Sequence, residues 1–389
     1  MKIEDVQVFV VGNPWKNWVL VKVTTDDGLH GWGDSTTGLS SQPVTSAVRE
    51  VRRMCIGKDP LQIEALWTEV YKRLYLPANT ILRAAMSGIT TACWDILGKS
   101  LNAPLYSLLG GSVSPRIKAY ANGWYRGDRK PEIFAEAAAN VVAQGYQALK
   151  FDPFGANYRF LDARERRLSI AIVEAVRDAV GDDVDLLIEA HDRFTVPEAI
   201  RLATELQPCH PDWIEAPVWS ENVQDLSDVA AASPVRIVAG ERFGTPRQFA
   251  ELLHGGHFDV VQPEYVNLGG ISQLREVAAI ADAYGATVAP HNACCPFSTA
   301  VNVHVMFSLR NAYIQETFDD FNEPWTRDLF TGLPKVRDGY YDVPSGPGLG
   351  VTVNEALFER HPYSDRNFMN LFSEGWEKRK PAASGTATR

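Results

Sequence analysis

From about residue 113 onward, short apolar runs alternate with helical stretches in one repeating order, and this constrains the fold more than any other feature. Strand centres fall near Ala119, Leu149, Leu187, Ile214, Val238, Val260, Val288 and Ile314, with helical periodicity between them over 132–144, 165–180, 197–206 and 271–284. Strands separated by helices read as parallel, because the chain must cross back over the sheet between them. Eight such strands suit a closed (β/α) barrel better than an open doubly wound sheet. No GxGxxG or GxxxxGK[ST] follows any strand, which removes the dinucleotide and nucleotide sites an open sheet would carry.

The first hundred residues follow a different rule. Residues 3–10, 18–24 and 29–33 alternate like strands around the turn Asp26-Asp27-Gly28, and 43–73 and 80–100 then read as helical. Strands followed by helices predict an α+β module over 1–112, ahead of a barrel over 113–322. A C-terminal segment, 323–389, returns to loop and short strand, completes the first module and ends in a frayed tail from about Lys378. The 389 residues, 45% of them apolar, are enough for two such units and a sizeable core.

Charge narrows the function. Thirty-eight Lys and Arg against 48 Asp and Glu leave a net charge of −10, the wrong sign for a protein that tracks a nucleic acid backbone. No apolar run approaches the ~20 residues of a membrane span, and MKIEDVQVFV is not a signal peptide, so the expected address is the cytoplasm. Cys55, Cys93, Cys209, Cys294 and Cys295 show no C-x-x-C spacing and are read as reduced, mostly packed thiols; a nucleophilic role for Cys294-Cys295 is the weaker reading.

In such a barrel the chemistry sits at the C-terminal ends of the strands. Those ends read Lys150-Phe-Asp152, Glu189-Ala-His191-Asp192, Glu215, Glu241, Gln262-Pro-Glu264, His291-Asn292 and Gln315-Glu316. Glu189, Glu215 and Glu241 are spaced by a constant 26 residues, about one βα unit, so their carboxylates should converge. Carboxylates that close repel unless a cation lies between them, and an oxygen-only donor set favours a hard ion, Mg²⁺. His191, two residues past Glu189, should project to the same side, as a ligand or an acid. His291 approaches from the opposite rim, with Glu264 placed to accept a hydrogen bond from its ring and raise its basicity. Lys150 and Asp152 form a second i, i+2 pair, in which the ammonium can neutralise a substrate carboxylate or move a proton. Trp15, Lys16, Trp18, Tyr75, Trp124 and Tyr125 lie in segments able to cover the mouth, and Trp15, Lys16 and Trp124 are the expected substrate contacts with Lys150 and Asp152.

The chain resembles the mandelate racemase/muconate lactonizing branch of the enolase superfamily, and within it the galactonate dehydratase group of acid-sugar dehydratases. The stretches that carry the likeness are MKIEDVQVFVV, VKVTTDDGLHGWGD, MSGITTACWDILGKSLNAPLYSLLGG, LKFDPFG, WIEAPV, AGERF, VVQPEYVNLGGIS, VAPHN and PSGPGLGV. The resemblance implies an N-terminal α+β capping domain on a modified TIM barrel, (β/α)7β. It implies Mg²⁺ on Glu189, Glu215 and Glu241, His291 as base with Glu264 as its carboxylate, His191 as the acid that helps a hydroxyl leave, and Glu316 hydrogen-bonded on the enolate side of the substrate carboxylate. The implied activity is dehydration of an aldonic acid to a 2-keto-3-deoxy acid in a homo-oligomeric enzyme. Epimerisation or lactone cycloisomerisation from the same enolate is the alternative, and a non-catalytic binding protein is the reading from another class. Three departures stand out: Glu replaces Asp at 189 and at 264, and Asp152 stands where racemases of the branch carry a second Lys.

Overall fold

The computed structural model describes residues 1–74, 78–368 and 370–379. The chain opens with an antiparallel meander, β1 (Ile3–Asn13), β2 (Lys16–Thr25) and β3 (His30–Asp34), in the order β1-β2-β3. Helices α1 (Ser41–Cys55), α2 (Ile63–Arg73) and α3 (Thr80–Ser100) follow. The helical stretch expected over 43–73 is split between α1 and α2, because Gly57 takes a left-handed φ of 77° and Pro60 follows three residues later. Helix α3 lies directly on β3: a Cβ at Gly33 would sit 2.0 Å from the Gly88 carbonyl oxygen. The glycine in GWGD is thus what lets strand and helix touch.

After the short α4 (Leu105–Leu108), eight parallel strands form the barrel: β4 (Arg116–Ala121), β5 (Ala148–Phe151), β6 (Asp185–Glu189), β7 (Trp213–Glu215), β8 (Ile237–Val238), β9 (Val260–Val261), β10 (Thr287–Val288) and β11 (Ile314–Thr317). Strands β4 to β8 pair in sequence order, bridges Ala239–Val261 and Val288–Ala312 carry the ring past β9 and β10, and β11 closes it on β4. The crossovers are α5 (Pro131–Ala143), α6 (Ala163–Val180), α7 (Val196–Leu206), α8 (Val223–Ala232), α9 (Pro246–His254), the pair α10 (Tyr265–Leu268) and α11 (Ile271–Ala283), and α12 (Pro296–Ser308). With no helix between β11 and β4, this is the (β/α)7β variant.

The period of two along each strand decides what faces inward. Tyr120, Ala148, Leu187, Trp213, Val238, Val260, Ala289 and Ile314 fill the barrel centre as one buried cluster. Two residues further along four of these strands come Asn122, Lys150, Glu189 and Glu215, with Glu316 likewise after Ile314. An apolar plug therefore lies directly beneath a polar layer. Among the described residues, no helix is long and apolar enough to cross a membrane.

The meander and the segment just after it are pinned to the loop after β10 and the first turn of α12. Asp34, fully buried, accepts from the Ser298 hydroxyl at the first turn of α12, Lys16 Nζ donates to the Ala293 carbonyl (2.7 Å), and the Cys294 thiol donates to the Thr36 carbonyl (3.1 Å). The C-terminal segment joins both units: a hairpin of Val336–Arg337 and Tyr340–Asp342 adds antiparallel to β4, and the Gly348 carbonyl accepts from the Leu105 amide. The tail expected to fray from Lys378 is packed as far as Arg379, whose guanidinium stacks 3.7 Å from the Trp15 ring centre; residues 380–389 lie outside the described part.

Candidate active site

Glu189 and Glu215 are register partners on β6 and β7, and Glu241 follows β8, where Gly240 turns the chain with a φ of 131°. One ligand atom from each of the three carboxylates lies within 4.8 Å of the others, and all three residues are buried. Burial and the mutual repulsion of Glu189 and Glu215 raise the pKa of Glu215 well above the carboxylate range, and burial raises that of Glu189 too. Oxygen donors, convergence and strained ionisation together fit a divalent cation.

Lys150 sits beside them. Its Nζ lies 2.6 Å from Glu215, 2.9 Å from Glu316 and 3.2 Å from Glu189, with the side chain 1% exposed. Burial alone would discharge the ammonium, but Glu215 and Glu316 outweigh it and hold the pKa well above that of a free lysine. Lys150 is thus a fixed positive charge and unsuited to taking up a proton. Glu316 is aimed by Asn122, whose amide donates to Oε1 (2.8 Å), and by the Asn292 backbone amide, which donates to Oε2 (2.6 Å).

His291 stands across the mouth. Its Nδ1 donates to Glu264 Oε2 (2.9 Å) while Nε2 lies 3.0 Å from Glu241 Oε2. The longer Glu264 side chain reaches the ring where an Asp is more usual. Against burial, which would lower it, Glu241, Glu316 and Glu264 raise the His291 pKa to about 9; Glu241 is drawn down to about 2, chiefly by His291 and Arg242 acting against its burial.

The side chains of His191 and Asp152 do not follow the i, i+2 alternation of an extended strand. Strand β6 ends at Glu189, and His191 and Asp192 adopt left-handed backbone with φ of 50° and 57°. The His191 amide thereby donates to Glu189 Oε1 (2.8 Å), and the ring turns to Asp152, Nδ1 to Oδ2 at 2.8 Å, which directs Nε2 away from that carboxylate. Asp152 was expected to touch substrate. It is fully buried and is occupied by His191, by the Arg193 guanidinium and by the Phe154 amide, so it orients His191.

Trp124 is corrected as well: its indole N–H donates to the Lys150 carbonyl (2.9 Å) and its ring packs against Phe134 and Phe151, in the layer between strands and helices. Trp18 is a core residue against Trp325 and Phe330, and Tyr125 is only 4% exposed. Trp15 and Lys16 do reach the rim, Trp15 edge-on to Phe318 and Lys16 at the loop carrying His291. Tyr75 lies outside the described residues. Asn122, Asn292, Arg193 and Arg242, which binds Asp192 (3.1 Å) and Glu241 (3.3 Å), are site residues that sequence reading missed. Arg242 and Asn292 each adjoin an assigned residue, which was the available signal. The cysteines carry free thiols, and burial and the charge of Glu264 push Cys294 well above the ordinary thiol range, so it is no nucleophile at neutral pH.

These ionisations predict proton release on metal loading. A divalent cation on the three glutamates offsets the charge that holds protons on Glu215 and on His291, so binding should expel on the order of one proton per ion near neutral pH and tighten as pH rises. Calorimetry in two buffers of different ionisation enthalpy measures this directly. Identical heats in both would contradict it.

Residues 6–110 match the family "Mandelate racemase / muconate lactonizing enzyme, N-terminal domain", and residues 133–357 match "Enolase C-terminal domain-like". The chain is 40% identical over 349 residues to a D-gluconate dehydratase of Thermoproteus tenax, covering 89% of this chain and 70% of that protein. A D-gluconate/D-galactonate dehydratase of Picrophilus torridus is 34% identical, with 96% and 97% covered. The solved structure of a mandelate racemase/muconate lactonizing enzyme from Jannaschia sp. CCS1 superimposes with a TM-score of 0.88 at 35% identity, covering 94% of this chain and 98% of that one. With the barrel, the capping domain and the three converging glutamates, these matches establish that the chain belongs to the mandelate racemase/muconate lactonizing enzyme family of the enolase superfamily.

Proposed function

We propose that this protein dehydrates an aldonic acid to a 2-keto-3-deoxy acid. The observation that carries the reading is the pair of histidines each oriented by a carboxylate, His291 held by Glu264 and His191, whose amide bonds Glu189, held by Asp152. Dehydration needs a base for the α-proton and a separate acid for the leaving hydroxyl. The dehydratase relatives, 34–40% identical, support the choice of substrate class.

The cation held by Glu189, Glu215 and Glu241 is Mg²⁺ in this reading, and when bound it supplies Lewis-acid stabilisation of the substrate carboxylate. Every other role falls to side chains of the chain itself. Lys150, fixed in place by Glu316, holds the carboxylate end, its ammonium countering the charge that collects on the oxygens as the α C–H bond breaks. His291 Nε2 takes the α-proton. The electron pair left behind forms the C2–C3 double bond as the C3–O bond breaks, His191 Nε2 gives its proton to the departing oxygen, and water leaves. The resulting enol tautomerises to the keto acid. Asp152 in place of a second strand-two lysine leaves no ammonium base on that face, which disfavours a two-base racemase.

The test is incubation of the Mg²⁺-loaded protein with a panel of aldonic and aldaric acids in D₂O, following keto acid formation and α-proton exchange by NMR. Keto product from one or two acids is the expected result. Exchange with no keto product would replace dehydration by epimerisation or cycloisomerisation.

A further inference from the structure

The C-terminal strap, Gly375 to Arg379, crosses the mouth of the barrel, and the mechanism above leaves it unused. Gly375 turns the chain with a φ of 74°, and Trp376–Lys378 form a single 3-10 turn. Trp376 is 8% exposed and packs edge-on to the His191 ring, with centroids 6.3 Å apart, and to Tyr125 at 6.0 Å. Arg379 lies between the Trp15 ring of the capping hairpin and the Tyr125 ring of the loop after β4, at 3.7 and 4.9 Å. Its Nη1 is 3.1 Å from where a Gly123 side chain would begin, one residue beyond the Asn122 that holds Glu316.

Three donors on this strap, Trp376 Nε1, Arg379 Nε and Arg379 Nη2, are closed off from solvent with no hydrogen-bond partner among the described residues, and so is one acceptor, Glu377 Oε1. Burial of the guanidinium pulls its pKa down to about 9, and no carboxylate offsets it. Buried donors without acceptors are costly, and three within four residues beside the proposed acid mark a place where acceptor oxygens belong. The flanking rings add apolar faces of the kind that pack against the C–H edges of a carbohydrate chain.

We propose that Trp376 and Arg379 bind the oxygens at the far end of the substrate, beyond C3, and so select for chain length. This rests on the reading given under Proposed function. The carboxylate end is fixed at Lys150 and the three glutamates, and His191 marks the β-hydroxyl. A chain extending past His191 meets Trp376 first and the Arg379 guanidinium next.

The test compares the full-length, Mg²⁺-loaded protein with Arg379→Met, Arg379→Lys and Trp376→Phe, the last keeping an aromatic ring while losing the indole N–H and the five-membered ring that carries it. The readout is the ratio of kcat/KM for six-carbon aldonates to that for a four-carbon aldonate, or the competitive inhibition constant of the latter where it is not turned over; hexaric acids distinguish a terminal carboxylate from a terminal hydroxyl. Arg379→Met should lower the ratio by about 10- to 100-fold, mainly through KM of the longer acids, with partial recovery in Arg379→Lys and a smaller fall in Trp376→Phe. Equal losses at both chain lengths would reduce the strap to a structural element, and an unchanged ratio would mean that these donors do not meet the substrate. If the unmodified protein converts no aldonate, the proposed function falls and the selection argument with it.

Discussion

His291→Asn should lower kcat for aldonate dehydration by at least ~10³-fold while leaving the metal affinity within a few-fold of the unmodified protein. A positioned general base contributes about 10²–10⁴, and here the ring is held on both sides, by Glu264 at Nδ1 and against Glu241 at Nε2. Asparagine keeps a side-chain amide to donate to Glu264 and cannot accept a proton at neutral pH. The three carboxylates that would hold the cation are untouched. His191→Asn is the informative partner, because it removes the acid and spares the base. It should lose keto product and retain exchange of the α-proton with D₂O, whereas His291→Asn loses both. Exchange surviving in His291→Asn would place the base elsewhere.

What could be read in the sequence follows from which features have a fixed period. An inward-facing layer on a strand repeats every second residue, so Lys150 above Ala148, Glu189 above Leu187, Glu215 above Trp213 and Glu316 above Ile314 announced both the plug and the polar layer over it. The 26-residue spacing of the glutamates carried the same information along the chain. Period ceases to help one residue past a strand end. At His191 and Asp192 the backbone turns left-handed, so the His191 amide bonds Glu189 while its ring turns to Asp152, which is buried and taken up by His191 and Arg193. Trp124 failed for a related reason: a loop aromatic can point to the mouth or back into the helix layer, and its hydrogen bond to the Lys150 carbonyl decides. The strap failed differently. In Ser373-Glu-Gly-Trp-Glu-Lys-Arg379 a lone Trp among charges has no periodicity, and what packs it is contact with Tyr125 and His191, as Trp15 and Tyr125 pack Arg379, all far away in sequence. A Trp in an otherwise polar tail was the one signal that it is buried.

Replacing Lys150 by Met should destabilise the metal-free protein by about 3–5 kcal/mol near neutral pH, because it strands Glu189, Glu215 and Glu316 in a buried layer without their shared cation. Met fills similar volume, so a cavity contributes little. The carboxylates can escape only by taking up protons. The already raised folded-state pKa values of Glu189 and Glu215 then rise further and that of Glu316, which Lys150 holds down against burial, is released upward, so the folded state binds more protons relative to the unfolded than it does with Lys150 present, and stability recovers as pH falls. The deficit should therefore be largest above neutral pH and shrink toward pH 5, opposite to the acid lability of a protein whose carboxylates are satisfied. A divalent cation should restore part of the loss, since it is a second positive charge for Glu189 and Glu215, but it leaves Glu316 alone. Activity should not return with stability: without the ammonium, charge developing on the substrate carboxylate loses a preorganised partner, a loss of about 10²–10³ in kcat. Urea midpoints at several pH values, with and without Mg²⁺, separate these effects. A midpoint unmoved by the substitution at neutral pH would show that the three carboxylates do not depend on Lys150 for their charge balance.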